Sequence, residues 1–196
     1  MTQPVDGWIQ LHGGCYYDFN EPSLDHVTLD SIAHHLAYSC RFNGGTRRLY
    51  SVAEHSIWVM RSIQIPDCSS RAVSGGFIFD DTGRRVKRAA LMHDSHEAIV
   101  CDIPRPLRKM AACAELNAEI AKVRALFRER WPGDYDHPAI VQADLALLHT
   151  EKVQLLHPEP RPWPDMPPPL DIRLECWRPE EAKSRFLHEC RRLGIE

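Results

Sequence analysis

Two imidazoles and two carboxylates, in the order His55, then the adjacent pair His93-Asp94, then Asp144, are the side chains of this 196-residue chain with the strongest claim to chemistry. Mixed nitrogen and oxygen donors of this kind suit a divalent transition metal. An ion held this way keeps a residual positive charge and room for water, whose pKa falls toward neutrality, so the chemistry it supports is hydrolysis. Glu97, four residues beyond His93, is the candidate general acid or base beside that water. A Glu on a helix is more often simply solvated, and it is the neighbouring His-Asp pair that singles this one out. Among the 11 histidines, His26, His34, His35, His137, His157 and His188 are expected to do no catalytic work, and His96 to point away from the face shared by His93 and Glu97.

The elements that must position these residues read as helices. Leu29, Ile32, Ala33, Leu36 and Ala37 recur at helical spacing and predict a helix to Tyr38. Arg41 to Thr46 contains Gly44-Gly45 and reads as a loop. Ser51-Val52-Ala53-Glu54 has the form of a capping box, which starts a helix running to about Ile63 with His55 in its first turn. Residues 66–84 read as an irregular insertion or hairpin with an apolar patch at Phe77-Ile78-Phe79. From about Arg85 the spacing of Val86, Ala89, Ala90, His93, Glu97 and Val100 predicts one helix carrying His93 and Glu97 on a single face. Pro104 and Pro106 must end it.

A long helix is then predicted from about Arg108 to Trp131, and another from Pro138 to His157 with Asp144, Leu147, Leu148 and Glu151 along one side. The proline-rich stretch 158–170 reads as an extended strap, and a last helix spans about 178–193 with an acidic start and a basic end before Gly194. At the N-terminus, Trp8 to His12 and Cys15 to Phe19 flank Gly13-Gly14 as a small hairpin. The fold class expected is all-α, a helical bundle with this hairpin at its edge.

A chain of this length with 43% hydrophobic residues can bury one sizeable core, so residues 1–196 are read as one domain. With 24 basic against 27 acidic residues and no run of basic ones, non-specific nucleic-acid binding is disfavoured. The clusters Arg84–Arg88 and Arg105–Lys109 suffice to hold a few phosphates, and are equally ordinary as solvated helix edges. Seven cysteines without CxxC spacing make neither a disulfide framework nor a zinc ribbon and suggest a reducing cytosol. Neither a leader pattern nor a long apolar run is visible, so no membrane association is expected and the chain is read as soluble and cytoplasmic.

The ligand order resembles the HD-domain phosphohydrolase superfamily, a helical fold that binds its metal through His, an HD doublet and a distant Asp. The resemblance spans about residues 29–156. Within it, Tyr50-Ser51-Val52-Ala53-Glu54-His55-Ser56, Leu91-Met92-His93-Asp94-Ser95-His96-Glu97-Ala98 and Asp102-Ile103-Pro104-Arg105-Pro106-Leu107 are similar to the 5′-deoxynucleotidase branch and to phage dATP triphosphohydrolases. Arg41-Phe42 stands where that group carries an Arg-aromatic pair. Gly45 stands where many relatives carry His, and Phe42 where the deoxynucleotidases usually carry Trp.

The resemblance implies that His55, His93, Asp94 and Asp144 ligate one divalent metal (Zn, Co or Mn), with a second ion such as Mg also compatible. It implies that Glu97 acts at the reacting phosphate, that Asp102 contacts the sugar 3′-hydroxyl or a nearby water, that Arg41 binds phosphate and that Phe42 packs on the nucleoside. Arg108 and Lys109 are candidate phosphate clamps, or solvated charge. The expected substrate is a small deoxynucleotide, dATP first among them, attacked at the α-phosphorus. The expected assembly is a homo-oligomer, a dimer or hexamer, in the cytoplasm of a cell or of a phage-infected host. Two other readings stay open: a phosphodiesterase of another nucleotide, and a catalytically silent module that binds one.

Overall fold

Helix α1 (Leu29–Tyr38) forms where the apolar spacing predicts it, with Thr28 as its N-cap accepting a hydrogen bond from the Ser31 N–H. It belongs to a computed structural model that describes residues 7–74 and 76–196, apart from the side chains of 71–73 and 76–79. Before it, β1 (Trp8–Gln10) and β2 (Tyr16–Asp18) pair antiparallel, Ile9 opposite Tyr17. Gly13 and Gly14 between them adopt φ of 74° and 79°, which a residue with a Cβ would resist. The N-terminal hairpin is therefore as the sequence predicts.

Helix α2 (Val52–Arg61) is the central element. It packs against α1, α3 (Thr82–Met92), α7 (Pro138–Leu155) and α8 (Pro179–Leu193), and every residue from Val52 to Ile57 is buried. A helix covered on all sides carries even its polar residues inward. Its capping box is only half formed. The Ser51 hydroxyl accepts from the Glu54 N–H at 3.1 Å, but the Glu54 carboxylate does not return to the cap. It accepts instead from the backbone N–H groups of Cys176 and Trp177, at 2.9 and 2.7 Å. The carboxylate is taken by backbone donors just before α8, and the first N–H of α2, that of Val52, donates to the Ser39 carbonyl.

The insertion before α3 is a regular hairpin, β3 (Ser69–Val73) with β4 (Gly76–Asp80), and α3 starts at Thr82, a few residues earlier than predicted. The apolar patch expected at Phe77-Ile78-Phe79 lies outside the described side chains.

Two helix predictions need correction. The helix through His93 stops at Met92, residues 93–96 form a turn, and a separate one-turn α4 (Glu97–Val100) follows. Here the bonds tighten to three-residue spacing, Ser95 N–H to Met92 O and Glu97 N–H to Asp94 O, so His93 and Glu97 do not share the face of one helix. The helix expected from Arg108 is likewise split into α5 (Arg105–Arg108), a 3-10 turn at Ala111–Cys113 and α6 (Ala114–Arg130). The Asn117 side chain takes the Arg108 carbonyl at 2.7 Å, which fixes the break.

Residues between α7 and α8 run without regular structure along α7. His149 Nδ1 donates to Pro167 O, Thr150 Oγ1 accepts from Leu170 N–H, and Gln154 bonds both Ile172 O and Leu174 N–H. Helix α8 ends at Gly194, φ 68°, with the Ile195 N–H donating to Cys190 O, as its Gly-after-basic-turn sequence predicts. The described residues are mostly α with small antiparallel hairpins, and no helix among them is long and apolar enough to cross a membrane.

Candidate metal centre

Three elements deliver the candidate ligands. The first turn of α2 carries His55, fully buried; the turn after α3 carries His93 and Asp94; the second turn of α7 carries Asp144. One ligand atom each from His55, His93 and Asp144 lie within 4.8 Å of one another. Asp94 Oδ2 stands 3.0 Å from His93 Nε2 and 3.8 Å from His55 Nε2, and Asp144 Oδ1 is 3.1 Å from His55 Nε2.

The other ring nitrogen of each histidine is already engaged. His93 Nδ1 donates to the Ala90 carbonyl at 2.7 Å, and His55 Nδ1 to Glu151 Oε1 at 2.6 Å. A carbonyl only accepts, so in the neutral ring the lone pair of His93 must sit on Nε2, and an ionised carboxylate imposes the same on His55. Both Nε2 atoms are buried, and neither makes an aligned hydrogen bond despite the carboxylates nearby. Imidazoles fixed through Nδ1, with Nε2 aimed at a shared point between carboxylates, have the form of metal ligands with their supporting shell. The donor set therefore fits a divalent transition ion.

Arg41 completes the support. The segment before α2 doubles back on it, with Arg41 N–H donating to Tyr50 O and a bridge between Cys40 and Ser51. That lays the guanidinium against Glu151, which accepts from Nε at 3.2 Å and Nη2 at 3.1 Å, while Nη1 is 3.9 Å from Asp94. Arg41, Glu151 and His55 thus form one continuous charged chain. Phe42 and Asn43 next to it hold φ of 55° and 52°, a conformation that costs a residue with a side chain and that clusters at functional sites. The Phe42 ring lies 5.5 Å from the Arg41 guanidinium and 6.5 Å from the Trp163 ring of the strap.

The electrostatics divide the acids into two groups. Burial and Arg41 press the His55 imidazole down, but Glu151 and Asp144 outweigh them and bring it up to about 9. Burial opposes charge on His93 as well, and Asp94 raises it. Burial likewise acts against ionisation of Asp94, Asp144 and Glu151, yet His93 holds Asp94 well below the usual carboxylate range, His55 lowers Asp144, and Arg41 lowers Glu151. These three are charged, and imidazolium protons balance them unless a divalent ion displaces those protons. Glu97 behaves oppositely: burial, then Asp94 and Asp102, push it well above the usual range. Burial raises Asp102 too, with Asp94 adding and Arg41 opposing. Asp102 is brought back toward the centre by Cys101, which ends α4 at φ 66°.

The chain aligns over 159 residues with the uncharacterized protein YfdR of Escherichia coli K12, at 30% identity, covering 80% of this chain and 77% of that protein. The chain belongs to the YfdR family. A 103-residue stretch is 33% identical to the uncharacterized protein RCAP_rcc00048 of Rhodobacter capsulatus, covering 52% of this chain and 46% of that relative, less than half its length. No family model matches the chain.

In this member of the YfdR family the structure gathers His55, His93, Asp94, Asp144, Glu97, Asp102 and Arg41 around one centre. Phe42 sits at its outer rim, half-buried. Arg108 lies on α5, half-buried, and Lys109 just beyond is exposed. Two participants escaped the sequence reading. Glu151 is fully buried behind His55; the available signal was its place seven residues after Asp144, on the same side of α7. His96, expected to point away, is buried beside the centre and takes a 3.0 Å contact from Arg124 Nη2. The turn at 93–96 turns it inward where a continuous helix would not.

Proposed function

We propose that the chain is a metal-dependent deoxynucleotide phosphohydrolase of the HD-domain kind, cleaving dATP at the α-phosphorus to deoxyadenosine and triphosphate, with dADP and dAMP as further substrates. The observation that carries this reading is the pair of buried imidazoles, His55 and His93, whose Nδ1 atoms are engaged and whose Nε2 atoms converge with two ionised aspartates.

His55, His93, Asp94 and Asp144 would hold one divalent ion, Zn, Co or Mn. Such an ion supplies Lewis acidity, which makes water a competent nucleophile near neutral pH and offsets charge on a phosphoryl oxygen. The chain's own residues supply the rest. Glu97, buried and with its carboxyl pushed well above the usual range by burial and by Asp94, would be the proton donor to the departing 5′-oxygen. One water is consumed: its oxygen joins phosphorus, the bond from phosphorus to the 5′-oxygen breaks, the nucleoside leaves with the proton from Glu97, and the proton given up by the water restores Glu97 for the next turnover. Asp102 is the acceptor for a sugar 3′-hydroxyl. Arg41, braced on Glu151, fixes the orientation of His55 and turns Nη1 toward the Asp94 side, where a phosphate oxygen would lie.

A buried Glu97 whose pKa is raised by burial and by Asp94 favours hydrolysis over a silent binding module, because binding alone gives that acid no task. The test is a panel of dATP, dGTP, dAMP, ATP and a cyclic dinucleotide, offered to protein loaded in turn with Zn, Co and Mn, with products separated by chromatography. Deoxyadenosine from dATP is the expected result. Cleavage of the cyclic dinucleotide alone would mark a phosphodiesterase, and binding without turnover a silent module.

A further inference from the structure

The turn between β1 and β2, His12–Gly14, is fastened to α1 by imidazoles. The His12 backbone N–H donates to His35 Nε2 at 3.0 Å. A backbone N–H only donates, so His35 carries its lone pair on Nε2 and makes this bond only while neutral. The His12 ring lies flat on the His34 ring, with centroids 3.6 Å apart and planes 6° from parallel. His34 in turn stacks on Tyr38, one helical turn along α1, at 4.4 Å. Neutral rings pack well in such a ladder, whereas two imidazolium charges at that separation repel.

The surroundings offer a proton on these rings little compensation. The turn, α1 and α8 enclose an open groove of about 390 Å³, lined among others by His12, His34, Tyr38, Glu180, Lys183 and Arg191. Both nearby carboxylates are engaged: Asp30 accepts from Lys183 Nζ at 2.9 Å and comes no closer than 3.9 Å to His12 Nε2, and Glu180 accepts from the Tyr38 hydroxyl at 2.8 Å. Lys183 and Arg191 add positive charge from α8. Helix α1 also packs on α2 and α4, whose ionisable groups are engaged elsewhere. Glu54 serves Trp177, Arg61 pairs with Glu189, and His55 and Glu97 belong to the metal centre. Burial lowers His34 and His35 from their ordinary value and His12 adds to both; Lys183 and His35 press His34 the same way, and Asp30 opposes.

The turn is also the part of the hairpin with freedom to move. Leu11 before it and Tyr17 after it are buried in the core, while His12, Gly13 and Gly14 are exposed. We infer that His34 and His35 form a proton-operated latch: neutral, they hold the β1–β2 turn against α1, and on protonation they release it and open the end of the groove between α1 and α8. The latch is separate from the metal centre and does not depend on the hydrolase reading. The direction follows from the lowered imidazoles, because the released state binds protons better than the docked one. The docked turn is therefore fully stable above the ordinary imidazole value of about 6.5 and loses stability as pH falls below it.

The test is a pH titration of the full chain, from about pH 8 to about pH 5, followed by nitrogen–proton NMR. The amides of His12, Gly13 and Gly14 should shift together with a midpoint below about 6.5. Exchange protection of the His12 amide, corrected for the intrinsic pH dependence, should fall by roughly tenfold, the worth of one hydrogen bond. Gly133, between α6 and α7, should not follow. In His35→Gln the side-chain oxygen can still accept from the His12 N–H and takes up no proton in this range, so the loss of protection should vanish. His34→Phe, which keeps a flat ring without the charge, should separately shrink the shifts of Gly13 and Gly14. Turn resonances that stay put in wild type, a midpoint above about 6.5, Gly133 moving in step with the turn, or an unaltered transition in His35→Gln would each overturn the inference.

Discussion

His55 Nδ1 and Glu151 Oε1 are 2.6 Å apart, both fully buried, and the same carboxylate receives the Arg41 guanidinium. One side chain of α7 therefore sets the tautomer of an imidazole on α2 and anchors the loop before it. A supporting carboxylate of this kind raises the basicity of the ligand it touches.

Glu151→Gln should leave the fold intact and weaken metal binding by roughly 10–100-fold, the usual cost of a lost outer-shell partner. The amide keeps the shape but no longer balances Arg41. Metal affinity measured by competition with a chelator of known strength checks this, and wild-type affinity in the variant would show that Glu151 merely fills space.

Glu97→Gln should retain metal and nucleotide binding and lose turnover by about 10²–10⁴-fold, the range for general acid assistance. A stability effect accompanies it. The folded pKa of Glu97 lies well above its ordinary value, so between the two the folded state holds a proton that the unfolded state has released. Stability from that group is present below its unfolded pKa and is lost as pH rises toward the folded one. Metal-free Glu97→Gln should thus melt higher than wild type at pH 7 and alike at pH 4. A variant less stable at pH 7, or active within a few-fold of wild type, contradicts the assignment.

Glu54→Ala should destabilise the chain by roughly 2–4 kcal/mol, because it strands the buried N–H groups of Cys176 and Trp177. Its structural role predicts that Glu54→Gln, which can still accept one of the two, falls between. Denaturant unfolding of the three proteins checks the order.

The parts of this molecule legible in the sequence were those fixed by local pattern. Helix α1 follows its apolar spacing, α7 begins at Pro138 and α8 stops at Gly194, and the N-terminal turn falls on Gly13-Gly14, because each rests on a propensity that no tertiary contact opposes. The candidate metal ligands were legible by residue type and order. What was not legible depended on distant partners. His93-Asp94-Ser95-His96 has no Pro or Gly, yet the helix breaks there as polar side chains turn inward. Glu54 reads as a cap and serves the segment just before α8, more than 120 residues away. Glu151 reads as one more helix Glu, and only the packing of α7 on α2 places it behind His55.

The most direct test of the central claim is a phosphorus NMR spectrum of dATP incubated with the metal-loaded chain. The account predicts that the nucleotide resonances give way to those of free tripolyphosphate with deoxyadenosine formed alongside, that ATP is cleaved more slowly, and that His93→Ala abolishes both. Release of pyrophosphate or orthophosphate from dATP, preference for ATP, or an unchanged spectrum would contradict it.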